Sequence, residues 1–282
     1  MESVFAFPGD WSATYTTRIE RNIGLVSITD QEKIKHARIA VLGTGGLGAP
    51  LALQLVYMGA EHLVLCDRDR IELSNLNRQP YTEDDIGQMK VDVCAANLRK
   101  INPAVDLRVY YNLDANNGAE IVQNVDLVAL TLDDPIGSIL VAREAYKKKI
   151  PMVETWGVPY LFAWWFTADS PTYETIYQFA TPAIPSEKLA NDTKTMGSLY
   201  QKFYEKLMGF PAIQERYSRE PHALEYLMLG KVGNRTIAPV VWMNAVYVAI
   251  EIIYAGILQS KPMVIAPTIH AYDYLTNQPV RL

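Results

Sequence analysis

A chain of 282 residues that is 49% hydrophobic holds enough apolar material for one large domain or two small ones. Charged residues make up 20% and the formal net charge is −5, which argues against a nucleic acid as the default partner and leaves at most a local basic patch. Two cysteines, Cys66 and Cys94, exclude a disulfide framework and a four-thiolate zinc site, and both read as small core residues.

Met1–Asp10 contains Glu2 and no basic n-region, so it does not read as a secretory signal. Trp11–Ile23 reads as helical, with Arg18 and Arg21 three apart on one face. On its own that pair is a solvated basic face. A short helix at Gln31–His36 follows the cap residues Ser27, Thr29 and Asp30. Ile39–Leu42 is a short apolar run of the kind found in buried parallel strands. It runs into Gly43-Thr44-Gly45-Gly46-Leu47-Gly48 and then into an apolar-periodic helix, Ala49–Met58. A second strand, His62–Cys66, ends at Asp67 and is followed by a polar loop, Ile71–Pro80. Gly87-Gln88-Met89-Lys90 opens a helix that Asn102-Pro103 stops. Strand Val105–Tyr111, short helix Gly118–Asn124 and strand Asp126–Leu132 follow. Asp133-Asp134-Pro135 then starts a helix to about Lys147, before a strand at Pro151–Glu154. Alternation of strand and helix predicts a parallel sheet with helices on both faces.

The pattern changes after Thr155. Tyr160–Thr167 and Tyr173–Phe179 are aromatic and β-branched and are expected as antiparallel strands. Pro182–Lys231 has helical stretches at Leu199–Met208 and Ala223–Leu229 and is open to two readings, a mobile lid or a packed crossover segment. Val240–Leu258 is an apolar helix. The run Ala238–Leu258 is nearly long enough to span a bilayer, but it contains Asn244 and Glu251 and is expected to be a buried core or interface helix. A last strand pair is expected at Met263–Ile265 and His270–Leu275. With no repeat and no linker, 1–282 reads as a single α/β domain. It is Rossmann-like and doubly wound, its mainly parallel sheet extended by antiparallel strands, with a helical crossover insert. Residues 1–37 form an N-terminal helical segment, 38–155 the nucleotide-binding half and 156–282 the remainder. The expected location is the cytoplasm.

Strand, glycine turn and helix start together form a nucleotide-phosphate site. Gly43, Gly45, Gly46 and Gly48 let phosphate approach backbone N–H groups at a positive helix end. Asp67, roughly 20 residues on, suits a ribose hydroxyl. Asp67, Asp69, Asn75, Arg78, Lys90 and Asp133 all map to the carboxyl edge of the sheet or to loops facing it. Two cations beside a glycine cradle suit a polyphosphate, and an opposing carboxylate suits Mg²⁺. Each residue by itself is as well explained by an ordinary cap or salt bridge. The glycine turn and Asp67 also fit an NAD-dependent oxidoreductase, in which Arg78, Lys90 and Asp133 have no evident task. A third alternative is a binding module that holds a nucleotide or partner without turnover.

Taken together, Gly43–Gly48, Asp67-x-Asp69, Ser74-Asn75-Leu76-x-Arg78-Gln79, Gly87-Gln88-x-Lys90 and Asp133 resemble the ThiF/MoeB/HesA family, bacterial relatives of ubiquitin-activating enzymes. Arg18-x-x-Arg21 with Gln31-Glu32-Lys33 is similar to that family's N-terminal segment, and Tyr272-Asp273 to its C-terminal part. The resemblance covers about Arg18–Thr181 and Asn234–Leu282. It implies ATP binding and transfer of AMP to a carboxylate with loss of pyrophosphate. The glycines would hold phosphates and Asp67 the ribose, with Asp69 and Gln79 in the same nucleotide site. Asn75, Arg78 and Lys90 would contact phosphates, and Asp133 would bind Mg²⁺. Arg21 would reach the ATP of the other subunit of a homodimer. The chain departs from the family in several ways, among them a more aromatic strand at Tyr160–Phe166. The paired zinc cysteines are missing, with Ser170-Pro171-Thr172-Tyr173 where the first pair would come, so no zinc is expected. No cysteine follows Cys94, which disfavours a relay through an enzyme thiol. Asp134 stands in place of the usual asparagine. The expected acceptor is a small-molecule or peptide carboxylate, with the C-terminal glycine of a ubiquitin-like sulfur carrier as the alternative. No membrane and no nucleic acid are expected as partners.

Overall fold

The structure is a computed structural model that describes residues 4–190 and 192–282. The reading of Met1–Asp10 therefore falls partly on residues outside the description, as does one position of the insert. Ser12 caps helix α1 (Ala13–Ile19) by accepting from the Tyr15 N–H. The chain continues through a tighter turn, Glu20–Asn22, to α2 (Ile28–His36), where Ser27 and Asp30 form a reciprocal capping box. Strand β1 (Arg38–Leu42), α3 (Gly48–Tyr57), β2 (His62–Cys66), α4 (Lys90–Ile101), β3 (Asp106–Tyr110), α5 (Gly118–Ile121), β4 (Leu127–Leu130), α6 (Pro135–Lys147) and β5 (Met152–Glu154) then alternate as expected.

The central strands are buried along nearly their whole length, because helices cover both faces. With β6 (Trp164–Phe166), the strand order is β3-β2-β1-β4-β5-β6. The first five strands are parallel and β6 runs antiparallel to β5. The crossovers from β1 and from β3 run in opposite directions, so the sheet's switch point lies between β1 and β4. One core layer packs Leu51, Leu55, Val91 and Leu98 against the sheet; the other packs Ile139, Leu140, Phe162 and Trp164.

Two strand expectations fail in the second half. Tyr173–Phe179 is not a strand: Tyr173–Tyr177 is helix α7, capped by Thr172, whose hydroxyl accepts from the Thr175 N–H. The cap and the turn before it override the β preference of the aromatics, which bury their rings from a helix instead. The partner of β6 is therefore β5. The last hairpin pairs β7 (His270–Asp273) with β8 (Gln278–Arg281), and Met263–Ile265 keeps one isolated bridge, Trp165 to Ile265.

Between them lie α8 (Ser186–Leu189), α9 (Thr193–Met208), α10 (Ile213–Tyr217) and α11 (Ala223–Met228). Leu189, Leu199, Leu207, Phe210 and Ile213 are buried in the second core layer, so the insert is a packed crossover and not a free lid. Arg143 of α6 ties this region down. Its guanidinium makes two bonds to the Glu174 carboxylate, at 2.7 and 3.0 Å, and donates to the carbonyls of Thr181 and Ile184 and to the Ser186 hydroxyl. The long helix is α12 (Ala238–Ile250), prolonged by a π-helical segment, Glu251–Ile257. It packs on α3. Its polar residues are paired inside the protein: Asn244 with Thr155, and Glu251 with Trp165 and Lys261. Length and composition alone would let Ala238–Ile257 cross a bilayer, yet more than half of it is buried in the protein.

Candidate active site

A cavity of about 490 Å³ opens at the carboxyl edge of the sheet, over the switch point. Its near end is the glycine turn. Gly43 has φ +97° and a side chain there would strike the Thr131 carbonyl at 2.5 Å. A side chain at Gly48 would meet the Gly43 carbonyl at 1.7 Å. These two glycines are required by packing between β1, β4 and α3. At Gly45 and Gly46 an added carbon would meet only side-chain atoms of Gln79, Arg78 and Val241, at 3.4 Å or more. The packing thus leaves Gly45 and Gly46 room for a ligand to approach the backbone.

Asp67 is buried. One of its oxygens accepts from the Thr44 N–H at 2.6 Å and the Thr44 hydroxyl at 3.1 Å, and the other from the Asp69 N–H at 2.9 Å. It therefore fixes the glycine turn to the end of β2, and only its remaining lone pairs are free for a ribose. Lys90, at the start of α4, is also buried and bonds Asp69 at 2.8 Å. Tyr81 completes the clamp, its hydroxyl bridging the carbonyls of Thr44 (2.6 Å) and Lys90 (3.1 Å). Asn75 closes the turn after Glu72, accepting from its N–H. Arg78 lies along the cavity with its guanidinium on Asn77 and the Ser74 carbonyl, and its own carbonyl accepts from the Trp242 indole of α12 at 2.7 Å. The Oε1 of buried Gln79 has no partner, an orphan polar atom beside the glycine turn.

Asp133 follows β4 and also lines the cavity. Burial, reinforced by the charge of Asp69, pushes its carboxyl up, against the pull of Lys90. Asp134 also lines the cavity, but its carboxylate is already engaged. It caps α6 through the Ile136 N–H and pairs with Arg68 at 3.1 Å. Among the described residues no cluster of three or more His, Cys, Asp or Glu is placed to hold a metal. A cation at Asp133 would therefore complete its shell with phosphate oxygens and water, as Mg²⁺ does. Both cysteines are buried and burial raises each thiol to about 12, so neither is a nucleophile.

The structure thus gathers Gly43, Gly45, Gly46, Asp67, Asp69, Asn75, Arg78, Gln79, Lys90 and Asp133 around one cavity. Gly48 supports it from behind. Arg21 is exposed and does not line it. Several residues escaped the sequence reading. Thr44 and Tyr81 act by bonding backbone and have no motif spacing. Glu154, Trp156 and the α9 residues Tyr200, Phe203, Tyr204 and Leu207 form the far wall. Only the sheet's topology brings that wall opposite the glycines. For Glu154 one signal existed, a carboxylate closing an apolar strand.

An open α/β sheet with a glycine-floored cleft at its switch point, bordered by fixed cations and carboxylates, defines a nucleotide-binding protein of Rossmann type. The chain belongs to the ThiF family, whose pattern matches residues 19–282. It is 35% identical over 128 residues to the "sulfur carrier protein adenylyltransferase" of Thermus thermophilus, an alignment covering 44% of this chain and 47% of that protein. The chain thus spans about half the length of that relative. With the "SAMP-activating enzyme E1" of Haloferax volcanii it shares 32% identity over 194 residues, 66% of this chain and 70% of the relative. In three dimensions it resembles Escherichia coli MccB, solved with AMPCPP and MccA, with a TM-score of 0.66 at 20% identity over 98% of this chain and 73% of MccB. These relatives lend no support to the oxidoreductase alternative.

Proposed function

We propose that this protein is an ATP-dependent adenylyltransferase that activates a carboxylate as an acyl-adenylate and releases pyrophosphate. The observation that carries the reading is that Lys90, Arg78, Gln79 and Asp133 line one cavity with Gly45 and Gly46, whose backbone is left open to a ligand. The substrate carboxylate is already ionised near neutral pH, so its attack on the α-phosphorus needs no general base. Lys90 and Arg78 neutralise charge on the departing pyrophosphate, and the glycine turn and α3 N-terminus align the triphosphate. Asp133 would hold Mg²⁺, which supplies further neutralisation of phosphate charge when bound.

The acceptor favoured is a small-molecule or peptide carboxylate, because the chain has no exposed thiol to pass an activated protein onward. A ubiquitin-like sulfur carrier is the second reading, favoured by the similarity to the Thermus sulfur carrier protein adenylyltransferase and the Haloferax SAMP-activating enzyme. A soluble, cytoplasmic enzyme suits a substrate of either kind. We read the working unit as a homodimer. The outward face of α12 exposes Trp242, Met243, Val246 and Ile250, and Trp242 is bonded to the Arg78 loop. A two-fold contact there would hide that apolar face and bring the partner near the nucleotide. Arg21 is exposed in one subunit and would serve the other's ATP.

The test is exchange of labelled pyrophosphate into ATP across candidate carboxylates and carrier proteins. Absence of exchange with all of them, while ATP binds, would leave only the nucleotide-binding module. Mixing Arg21→Ala with Asp133→Asn protein tests the shared site. One functional site should return in each mixed dimer; exchanged subunits that stay inactive rule out action across the interface.

A further inference from the structure

Glu154 ends β5 and lines the far part of the cavity, yet adenylation has no use for it. The residue is 5% exposed. One carboxylate oxygen accepts from the Tyr173 hydroxyl at 3.0 Å and the other from the Tyr177 hydroxyl at 2.5 Å. The Tyr177 oxygen in turn accepts from the Trp156 indole at 2.8 Å. No cation pairs with Glu154 among the described residues. The groups that face it are Tyr173 and Tyr177 of α7 and Trp156 after β5, with Ser138 of α6 behind Tyr173. Burial pushes its carboxyl up to about 7, opposed only by hydrogen bonds from the two tyrosines and Trp156.

A buried carboxylate without a counter-ion is costly, and here it would also repel a substrate carboxylate. A ligand cation reverses both effects. The neighbouring wall suits one. The Trp156 ring stacks on Tyr177 at 5.7 Å and lies 6.0 Å from the Phe203 ring, and aromatic faces attract cations. Each carboxylate oxygen accepts one tyrosine hydroxyl, and the nearby Trp156 indole is bonded to the Tyr177 oxygen, so at least one carboxylate lone pair remains for a further donor. We propose that Glu154, with the rings of Trp156 and Phe203, forms an ammonium subsite, so that the carboxylate activated here belongs to a molecule that also bears a primary amine. The inference rests on the carboxylate-activation reading for the identity of the substrate, but the subsite itself is testable without it. An amino acid or a peptide with a free amine fits this chemistry, and an amine-free fatty or aromatic acid does not.

The probes are phenethylamine and phenethyl alcohol, alike in shape and different in charge, measured on the full chain by calorimetry. At about pH 8 the amine should bind at least about tenfold more tightly than the alcohol, as a charge-assisted bond implies. The gap should close near pH 5, where Glu154 is protonated, and Glu154→Gln should abolish it at both. In wild-type protein labelled with ¹³C-glutamate, saturating phenethylamine should lower the Glu154 titration midpoint. This second measurement does not depend on the variant folding. Equal binding of the two probes, a preference that survives in Glu154→Gln, or an unmoved midpoint would each overturn the subsite. Loss of pyrophosphate exchange with an intact amine preference would instead count against adenylation alone.

Discussion

The two ends of the cavity are built differently. The glycine end is made of backbone held by short polar links: Asp67 to Thr44, Tyr81 to Thr44 and Lys90, Lys90 to Asp69. Thr44, Asp67 and Asp69 follow strand ends of the parallel sheet and Lys90 starts α4, while Tyr81 lies in the loop between β2 and α4. The far end is made of rings, Trp156, Phe203 and Tyr204, carried on a loop and on a helix of the insert. Its positions are fixed by core packing and by the Arg143–Glu174 hub at a distance. A phosphate chain is the same in every nucleotide, so a rigid backbone cradle suits it. The second substrate varies between enzymes, and side chains on an insert can change without disturbing the sheet.

The largest effect should come from cutting the far end loose. Arg143→Ala leaves the buried Glu174 carboxylate unpaired and should cost ~3–5 kcal/mol in urea denaturation, while affinity for an ATP analogue in the folded protein stays within twofold or so. A variant that loses nucleotide affinity as much as stability would erase the division between the two ends. At the glycine end, Lys90→Ala should lower pyrophosphate exchange by about 10²–10³-fold, or about 2.7–4 kcal/mol, because in the proposed reaction it supplies a fixed charge to the phosphates. Normal exchange would mean that Lys90 serves only Asp69. Tyr81→Phe removes the hydroxyl that links the glycine turn to α4 and leaves the buried Thr44 carbonyl short of its donor. A loss of about 1–3 kcal/mol in stability is expected, with weaker ATP binding, and no change in either would show the clamp to be redundant.

A further effect is on pH dependence. The Glu154 carboxyl is raised from 4.5 to about 7 by burial, so the folded state holds its proton more tightly than the unfolded chain. That stabilisation is present in acid and is lost as pH rises through about 7. Glu154→Gln cannot titrate, so its stability relative to wild type should improve between about pH 5 and pH 8. A constant difference across that range would place the Glu154 proton elsewhere.

The sequence by itself determined the parallel half of the fold and most residues of the glycine end, though not the parts that Thr44 and Tyr81 play there. Local patterns suffice there, because a buried strand, a glycine turn and a capped helix are encoded within some thirty residues. Every residue from Gly43 to Asp133 assigned to the nucleotide does lie at that edge, Gly48 behind it. Asp67 was legible as a site residue but not as the tie that holds Thr44, since a bond between positions 23 apart leaves no periodic trace. The tertiary structure alone decided the second half. Tyr173–Tyr177 is helical because Thr172 caps it and the core accepts its rings, although its composition favours a strand. Only the folding of the insert across the sheet edge sets Phe203 beside Trp156 and Tyr177, and so gives Glu154 its buried, aromatic surroundings. Contacts between residues this far apart in the chain depend on topology, and topology is settled by how the whole core packs.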